Sequence, residues 1–593
     1  MVPAHYIRRR GVLLFLLCMA AISFLHYVYL TPSHNVSSRP LAQDDDDGSV
    51  GYLDYSLLGR IVERPQGGPA PIHGIDNDGF EVVEEPYVTF KNKDRGKGQG
   101  YGTSGEEEAV KPIQFDFGAN PWSNAQEQQS RARQSKVRGM IQHAWEGYSR
   151  YASPHDELKA VTGKGIDTFH GWGATLVEGL DTLWLAGFRD EYWEARDKFL
   201  DMVQEHHWRV VGVEDDKADV RFFEGVVRYL GSLLSIAELE KKEGQEPDSR
   251  ILDAAIGLAD QLLLAFKGVN RALPASRIFP NGTLAANGAL SGKVSLAEVG
   301  TFQLEFRKLS QLSNNPKYSA VAQENYEYLS SLNPKISGLF PAYFDQKSGA
   351  ANNYVASFGS LSDSFYEYLL KTFILTGDTK FRDQYVTTVE AMHSHLLSYN
   401  RKNRGHYLVL GIYDTATDTL VPKMDHMSCF APGLLALGAR VLGRSKDMAA
   451  AQALMETCFL SYKNSETGLG ADEIAFLTTE HQRGKEFEMP MPSGFYVIDP
   501  EYVLRPGNIK YQEYAWSIVE AIEKNCKTQF GYSALANVMD ASEGMTDLMP
   551  SHFLAETLKY LYLIFSPPEQ VPLDKYLFTT QGHLVRFSQT EQQ

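Results

Sequence analysis

The stretch FFEGVVRYLGSLLSIAEL, residues Phe222 to Leu239, decides how the chain is read. Phe223, Val226, Val227, Leu230 and Leu234 recur at spacings of three and four, the period of one helix face. Glu224, Arg228, Gly231 and Ser235 follow one another on a neighbouring face that is polar and carries small residues. Two readings fit. Glu224 and Arg228 form an i,i+4 ion pair on a helix surface, or the face is left open for a ligand.

The same period recurs outward in both directions. VRGMIQHAWEGYSRYA, ATLVEGLDTLWLAG, ILDAAIGLADQLLLAF, LAEVGTFQLEFRKLSQL, SDSFYEYLLKTFILTG, MAAAQALMETCFLSY and FLAETLKYLYLIF all repeat apolar residues at three and four, with glycine-containing turns between them. Strand-like runs are few and short. From about residue 131 the chain therefore reads as an all-α domain of many helices. A ring of paired helices around one cavity fits. A solenoid is the alternative, but no fixed-period repeat is visible.

Upstream the text changes. Gly11 to Leu30 is an apolar run preceded by Arg8, Arg9 and Arg10, with no further Lys or Arg until Arg39. At ~1.5 Å per residue it makes a helix of roughly 30 Å, the thickness of a bilayer core. The charge asymmetry places residues 1–10 in the cytosol and the bulk of the chain in the lumen. A cleaved signal peptide is the rival, but no clean small-residue cleavage site precedes Thr31. Two glycosylation sequons, at Asn35 and Asn281, agree with a lumenal setting. Residues 31–130 are rich in Gly, Pro and charge, as in AQDDDDGSV and KNKDRGKGQGYGTSGEEE, and read as a disordered stem. Gly100, Gly102 and Gly105 match G-x-G-x-x-G but lead into EEEAVKP, not an apolar helix, so a dinucleotide site is rejected.

The net charge of −17 argues against a nucleic-acid partner, which needs clustered Lys and Arg. Aromatics make up 12% of the 593 residues, which suits either a large aromatic core or a sugar-binding cleft. Cys18 lies in the apolar run, and Cys429, Cys458 and Cys526 follow in the lumenal part, so one disulfide and one spare thiol are possible. No Cys/His spacing suggests zinc. In SDSFYEYLLK, Asp363 stands at a helix start, and Ser364 with Glu367 fits a capping box. Asp363 could then serve only the helix dipole. In KMDHMSCFAPG, Asp425 and His426 sit among apolar neighbours.

Taken in order, GWGATLVEGLDTLWLAGF, FFEGVVRYLGSLLS, SLAEVGTFQLEFRKLSQL, SDSFYEYLLK, KMDHMSCFAPGLLALGA, TGLGADEIAF, YVLRP, HFLAETLKYLYLIF and LDKYLFTTQGH resemble class I α-1,2-mannosidases, glycoside hydrolase family 47. The resemblance covers nearly all of residues 131–585. It implies an (αα)7 barrel over residues 131–586, with 587–593 as a tail, and removal of terminal α-1,2-mannose from high-mannose N-glycans in the Golgi or endoplasmic reticulum. It implies an inverting, calcium-dependent mechanism, in which an acid and a base stand roughly 6.5–9.5 Å apart with water between. By motif, Glu224 resembles the acid, with Arg228 beside it, and Asp363 and Glu473 resemble further catalytic carboxylates. Glu298, Leu361, His426, Arg505, Phe553 and Glu556 resemble substrate-binding residues, with Phe553 stacking on a sugar ring. Leu361 stands where the endoplasmic-reticulum enzymes tend to carry Arg, which hints at the Golgi type. Thr580, in a Phe-x-Thr motif, resembles the calcium ligand, through hydroxyl and carbonyl oxygens with waters completing the shell. Gln581 stands where the family has an acidic residue. Cys429 and Cys458 match the family disulfide, a loop closure contributing about 3–4 kcal/mol in the chain-entropy description.

One departure is large. The family pattern after Leu-Arg-Pro is a Glu and then a helix. Here Pro506 runs directly into Gly507, Asn508 and Ile509. The resemblance then implies an internal loss of roughly a dozen residues, about three helical turns, and with them the general-base carboxylate. A wrongly removed exon segment leaves the same seam as a real loss. The barrel is thus expected to be incomplete near residues 506–508. The alternative function is an inactive mannose-glycan-binding protein of glycoprotein quality control.

Overall fold

The computed structural model describes residues 112–114, 122–209, 219–242, 244, 247–267, 272–279, 292–351, 355–400, 407–476, 489–490, 494–506 and 512–587. The expected anchor at 11–30, most of the stem, both sequons, Cys18 and residues 507–508 of the seam lie outside these residues. Among the described residues no helix is long and apolar enough to cross a membrane.

The main helices are α1 (Asn124–Tyr151), α2 (Leu180–Leu185), α3 (Arg189–His206), α4 (Gly231–Lys242), α5 (Ser249–Leu262), α6 (Gln303–Ser313), α7 (Lys317–Ser331), α8 (Asp363–Thr376), α9 (Thr379–His395), α10 (Ala431–Leu442), α11 (Ser445–Lys463), α12 (Gln512–Asn525) and α13 (Lys559–Ile564). From α2 to α11 they form consecutive pairs, each even helix packing on the odd one that follows. The even helices also pack on one another in series, α2 on α4, α4 on α6, α6 on α8 and α8 on α10, so they form an inner layer. Helix α13 belongs to the same layer: it packs on α1, and the turn that leads into it, Phe553–Leu558, packs on α2. The burial follows, with Tyr366, Leu369, Leu370, Phe373 and Ile374 of α8 all enclosed.

The alternation breaks once. Helix α12 packs on α1 and α13, and its Tyr514 ring stacks on Phe459 of α11 with centroids 3.5 Å apart. It is thus an outer helix following another outer helix. Among the described residues no inner helix stands between α11 and α12. Pro506 and Gln512 are separated by five residues. Five residues of helix would span about 8 Å, against roughly 18–21 Å for α4, α8 and α10.

The inner end of the barrel is filled by a C-terminal hairpin, strands Tyr576–Phe578 and Leu584–Arg586. Three lysines of inner helices donate to its backbone: Lys371 to Phe578 O at 2.5 Å, Lys559 to Gly582 O at 2.7 Å and Lys308 to Arg586 O at 2.8 Å. Each is also paired with a carboxylate, Glu367, Asp181 and Glu238 respectively.

Three expectations are corrected here. The folded domain starts before residue 131. Ser123 caps α1 in a capping box with Gln126, and the N–H groups of Ile113 and Gln114 both donate to Asp574 Oδ1. The polar run NAQEQQSRAR hid this helix start, because the positions it buries there are Ser130 and Arg133. At the other end Phe587 is buried and its N–H bonds to Lys575 O, so it belongs to the domain and not to the tail. The capping box expected at Ser364 and Glu367 also does not form. The cap of α8 is Ser362, without a side-chain bond, and Glu367 goes to Lys371. A capping box does occur at Ser295 and Glu298, ahead of the short helix Leu296–Gly300.

Helix α1 supplies an internal test of the packing. A Cβ on Gly147 would stand 1.6 Å from the Phe530 carbonyl oxygen, whereas one on Gly139 would meet nothing within 4 Å. Gly147→Ala is expected to destabilise by about 1–3 kcal/mol or more through overpacking. Gly139→Ala is expected to stabilise by roughly 0.5–1 kcal/mol through helix propensity. Opposite shifts of the melting temperature in calorimetry check the pair.

Candidate active site

The quoted stretch does not form one uniform α-helix. Phe222–Glu224 is a single α-turn, Gly225–Leu230 is π-helical, and α4 follows. A second π-helical turn, Phe553–Leu558, precedes α13. π-Turns inside helices are uncommon and tend to sit at functional sites. Both of these carry expected site residues.

Within the first turn Arg228 Nε donates to Glu224 Oε2 at 2.5 Å. Its Nη1 reaches Glu178 Oε1 at 3.2 Å and Ser551 Oγ at 3.1 Å, and the guanidinium lies over the Phe169 ring at 4.3 Å. Of the two readings of this pair, the structure gives the interior one: Arg228 is buried between two carboxylates. Glu178 escaped the sequence reading. Its only signal was an acid inside the apolar pattern of ATLVEGLDTLW, and it is fully buried.

Asp363 heads α8 and accepts the Ser364 N–H at 2.8 Å. Burial pushes its carboxyl up to about 7, with Asp425 and Glu367 adding repulsion. Burial likewise pushes Glu556 up to about 8, where Glu178 and Glu367 oppose the relief from Arg228. Glu298 is raised by burial, feels the charge of Glu224, and spends one oxygen on the Ser295 N–H at 2.7 Å. Among these carboxyls, Glu298 feels the charge of Glu224, Asp363 that of Glu367, and Glu556 that of Glu178 and Glu367. Leu361, two residues before Asp363, has φ +77°, and its carbonyl accepts the Ala297 N–H. A non-glycine residue held there is strained by on the order of 1–3 kcal/mol, as functional sites often are.

A four-stranded sheet forms the opposite wall, with Lys423–Asp425, Glu473–Phe476 and Phe495–Asp499 paired in that order and Met489–Pro490 at the edge. Asp425 accepts from Ser360 N–H and from Ser428 N–H, each at 2.8 Å. Gly359 must be glycine, since a Cβ would stand 2.4 Å from Asp425 Oδ2. His426 Nε2 lies 2.5 Å from the Tyr462 hydroxyl, and burial with the nearby Arg505 pushes the ring down to about 3, hence neutral. The strand separates Asp472 from Glu473. Glu473 is buried and paired with Lys423, whereas Arg505 pairs with Asp472.

Phe553, expected to stack on a sugar, is fully buried with its ring against Tyr532, centroids 5.2 Å apart. It is a core residue with no face to offer. His552 is half-buried instead, bonded to Val503 O at 2.8 Å and within the field of Arg505, Arg228 and His426. Thr580 follows the first hairpin strand, half-buried, with its N–H on the Tyr368 hydroxyl at 3.2 Å. Gln581 beside it is buried. Cys429 and Cys458 are bonded, tying the entrance of α10 to α11, and Cys526 is a buried free thiol.

Comparison with known proteins agrees with this geometry. The family model described as Glycosyl hydrolase family 47 matches residues 140–587. The chain is 33% identical over 465 residues to the human endoplasmic reticulum mannosyl-oligosaccharide 1,2-alpha-mannosidase, covering 76% of this chain and 63% of that protein. It is 32% identical over 567 residues to mannosyl-oligosaccharide alpha-1,2-mannosidase IA of Spodoptera frugiperda, covering 92% of this chain and 80% of that one. Among solved structures, the alpha-1,2-mannosidase from Trichoderma reesei superposes with a TM-score of 0.69 at 27% identity, over 77% of this chain and 99% of that chain.

The raised carboxyls fix a pH response. A carboxyl whose folded value exceeds its unfolded value binds more protons in the folded chain, so stability falls as pH rises between the two. His426 and His552, both pushed down to about 3, oppose this only below about pH 6.5, where free histidine charges. Above that, Asp363 at about 7 and Glu556 at about 8 act alone of these four. The melting temperature should fall between about pH 6.5 and 8.5, and Glu556→Gln should flatten the fall, as scanning fluorimetry over that range will read.

Proposed function

Because the chain belongs to glycosyl hydrolase family 47, we propose that it hydrolyses terminal α-1,2-linked mannose of high-mannose N-glycans in the lumen of the Golgi or endoplasmic reticulum, held there by the anchor at residues 11–30. The observation that supports this most is the burial of Arg228 between Glu178 and Glu224, with Glu556 within its field. In this reading Glu224 protonates the leaving oxygen, through water where the sugar stands away from it. Asp363 is the second carboxylate, poised near neutral pH to hold or release a proton. Arg505, His426, His552 and Glu556 orient hydroxyls, and the neutral imidazoles do so without adding charge. Inversion is the stereochemistry proposed.

Calcium belongs to the proposal. Thr580 offers hydroxyl and carbonyl oxygens, the ligand type calcium takes. Glu556 lies beside the same turn, its Cγ 3.3 Å from where a Cβ on Gly582 would stand, and its carboxyl is raised by burial and by the charges of Glu178 and Glu367. Among the described residues no three acidic, His or Cys side chains stand close enough to hold a metal directly. The residues fit a cation held on Thr580 with water between it and the acids. When bound, calcium would supply oxygen coordination and charge neutralisation.

A second reading is favoured by the seam. Five residues between Pro506 and Gln512 leave no inner helix between α11 and α12 among the described residues and supply no carboxylate from Gly507 to Tyr511. A chain lacking the base would bind mannose glycans without turning them over.

The purified chain is expected to release mannose from an α-1,2-mannose-terminated N-glycan, and a chelator should stop it. Glu224→Gln and Asp363→Asn should each lower the rate by about 10²–10⁴-fold. Chelator-sensitive glycan binding with no mannose released, in a mass-spectrometric assay, would select the binding protein.

A further inference from the structure

We propose that Lys371 is a positioning residue for the cation site at Thr580, tying the cavity carboxylate of Glu367 to the strand that presents Thr580. The inference rests on the calcium part of the proposed function. Lys371 Nζ lies 2.5 Å from Glu367 Oε1 and 2.5 Å from Phe578 O. Both side chains are about one-eighth exposed, 12% and 13%, so the contact is screened from bulk water. Phe578 closes the first hairpin strand, two residues before Thr580.

One position away on the same helix, Tyr368 completes the joint. Its hydroxyl donates to Glu305 Oε1 at 2.6 Å and accepts the Thr580 N–H at 3.2 Å. The backbone that carries the two Thr580 oxygens is therefore held on one side by Lys371 and on the other by Tyr368. Both belong to α8, the helix that begins with Asp363.

Lys371 differs from the other two lysines that grip the hairpin. Lys308 and its partner Glu238 hold Arg586, six residues beyond Thr580. Lys559 is paired with Asp181, which also binds His583, in a fully buried cluster. The Lys371 carboxylate acts on two of the expected site residues: the charge of Glu367 is felt by Asp363 and Glu556. Removing the Lys371 ammonium would free Glu367 to turn and release the Phe578 carbonyl together. Outer-shell partners of this kind typically change metal affinity by 10–100-fold.

The test is calorimetric titration of calcium alone into the chelator-stripped full chain, with no substrate and no activity readout. Lys371→Met is expected to weaken calcium binding by about 10–100-fold. Lys371→Arg, which keeps a charge and donors, should recover most of that. Lys308→Met loosens the same hairpin away from Thr580. It should lower the melting temperature while leaving calcium affinity within about twofold, which separates positioning from general loosening. The proposal is overturned if Lys371→Met binds calcium as the parent does, or if Lys308→Met weakens binding equally. If the parent chain binds no calcium, the calcium part of the function falls and this inference with it. If the parent binds and Lys371→Met does not differ, this inference alone falls.

Discussion

A ring of helices that turns charge inward must pair that charge. An unpaired ammonium or carboxylate in a water-poor interior costs several kcal/mol after relaxation. The inner layer meets this constraint by giving Lys308, Lys371 and Lys559 a carboxylate at one contact and a hairpin carbonyl at another. The consequence is geometric. The hairpin cannot slide without stranding three ammonium groups, so the turn that carries Thr580 is fixed relative to α6, α8 and α13. The site's position follows from where the barrel can afford its lysines.

The carboxylates of the cavity are treated in the opposite way. Arg228 pairs with Glu178 and Glu224, and although its charge and that of Lys559 also reach Glu556, burial still lifts the Glu556 carboxyl to about 8. A sugar offers hydroxyls and no charge, so a space that alternates protonated and ionised carboxyls can both donate to and accept from it. Leu361 and Leu504, both at positive φ and both beside this space, carry backbone strain that the surrounding bonds impose. The Leu504 carbonyl accepts from Thr557 at 2.6 Å, which binds the Arg505 segment to the second π-turn.

Much of this was legible in the residues. The pairing of Glu224 with Arg228 followed from i,i+4 spacing, and the helix layers followed from apolar period. Phe553 was expected from its motif to meet a sugar ring, and here it packs against Tyr532 with no exposed surface. The start of α1 was hidden because it buries Ser130 and Arg133, which a hydrophobic pattern does not count. Glu178 was hidden by the reverse: an acid inside an apolar run reads as an interruption until Arg228 is seen beside it.

The seam bears on binding and on chemistry differently. The hairpin is gripped by residues of α2, α4, α6, α8 and α13, through Asp181, Ser235, Lys308, Lys371 and Lys559. None of these contacts passes through the place between α11 and α12 where an inner helix is missing from the described residues. Cys429 and Cys458 further tie α10 to α11 on the near side of that place. The hairpin that carries Thr580 is thus anchored independently of the seam, whereas Arg505 stands directly before it. A base drawn from the seam would have no such substitute, because the carboxylates nearby are already engaged, Asp472 by Arg505 and Glu473 by Lys423. Loss at this one place would therefore remove the expected base and leave the hairpin with Thr580 in place.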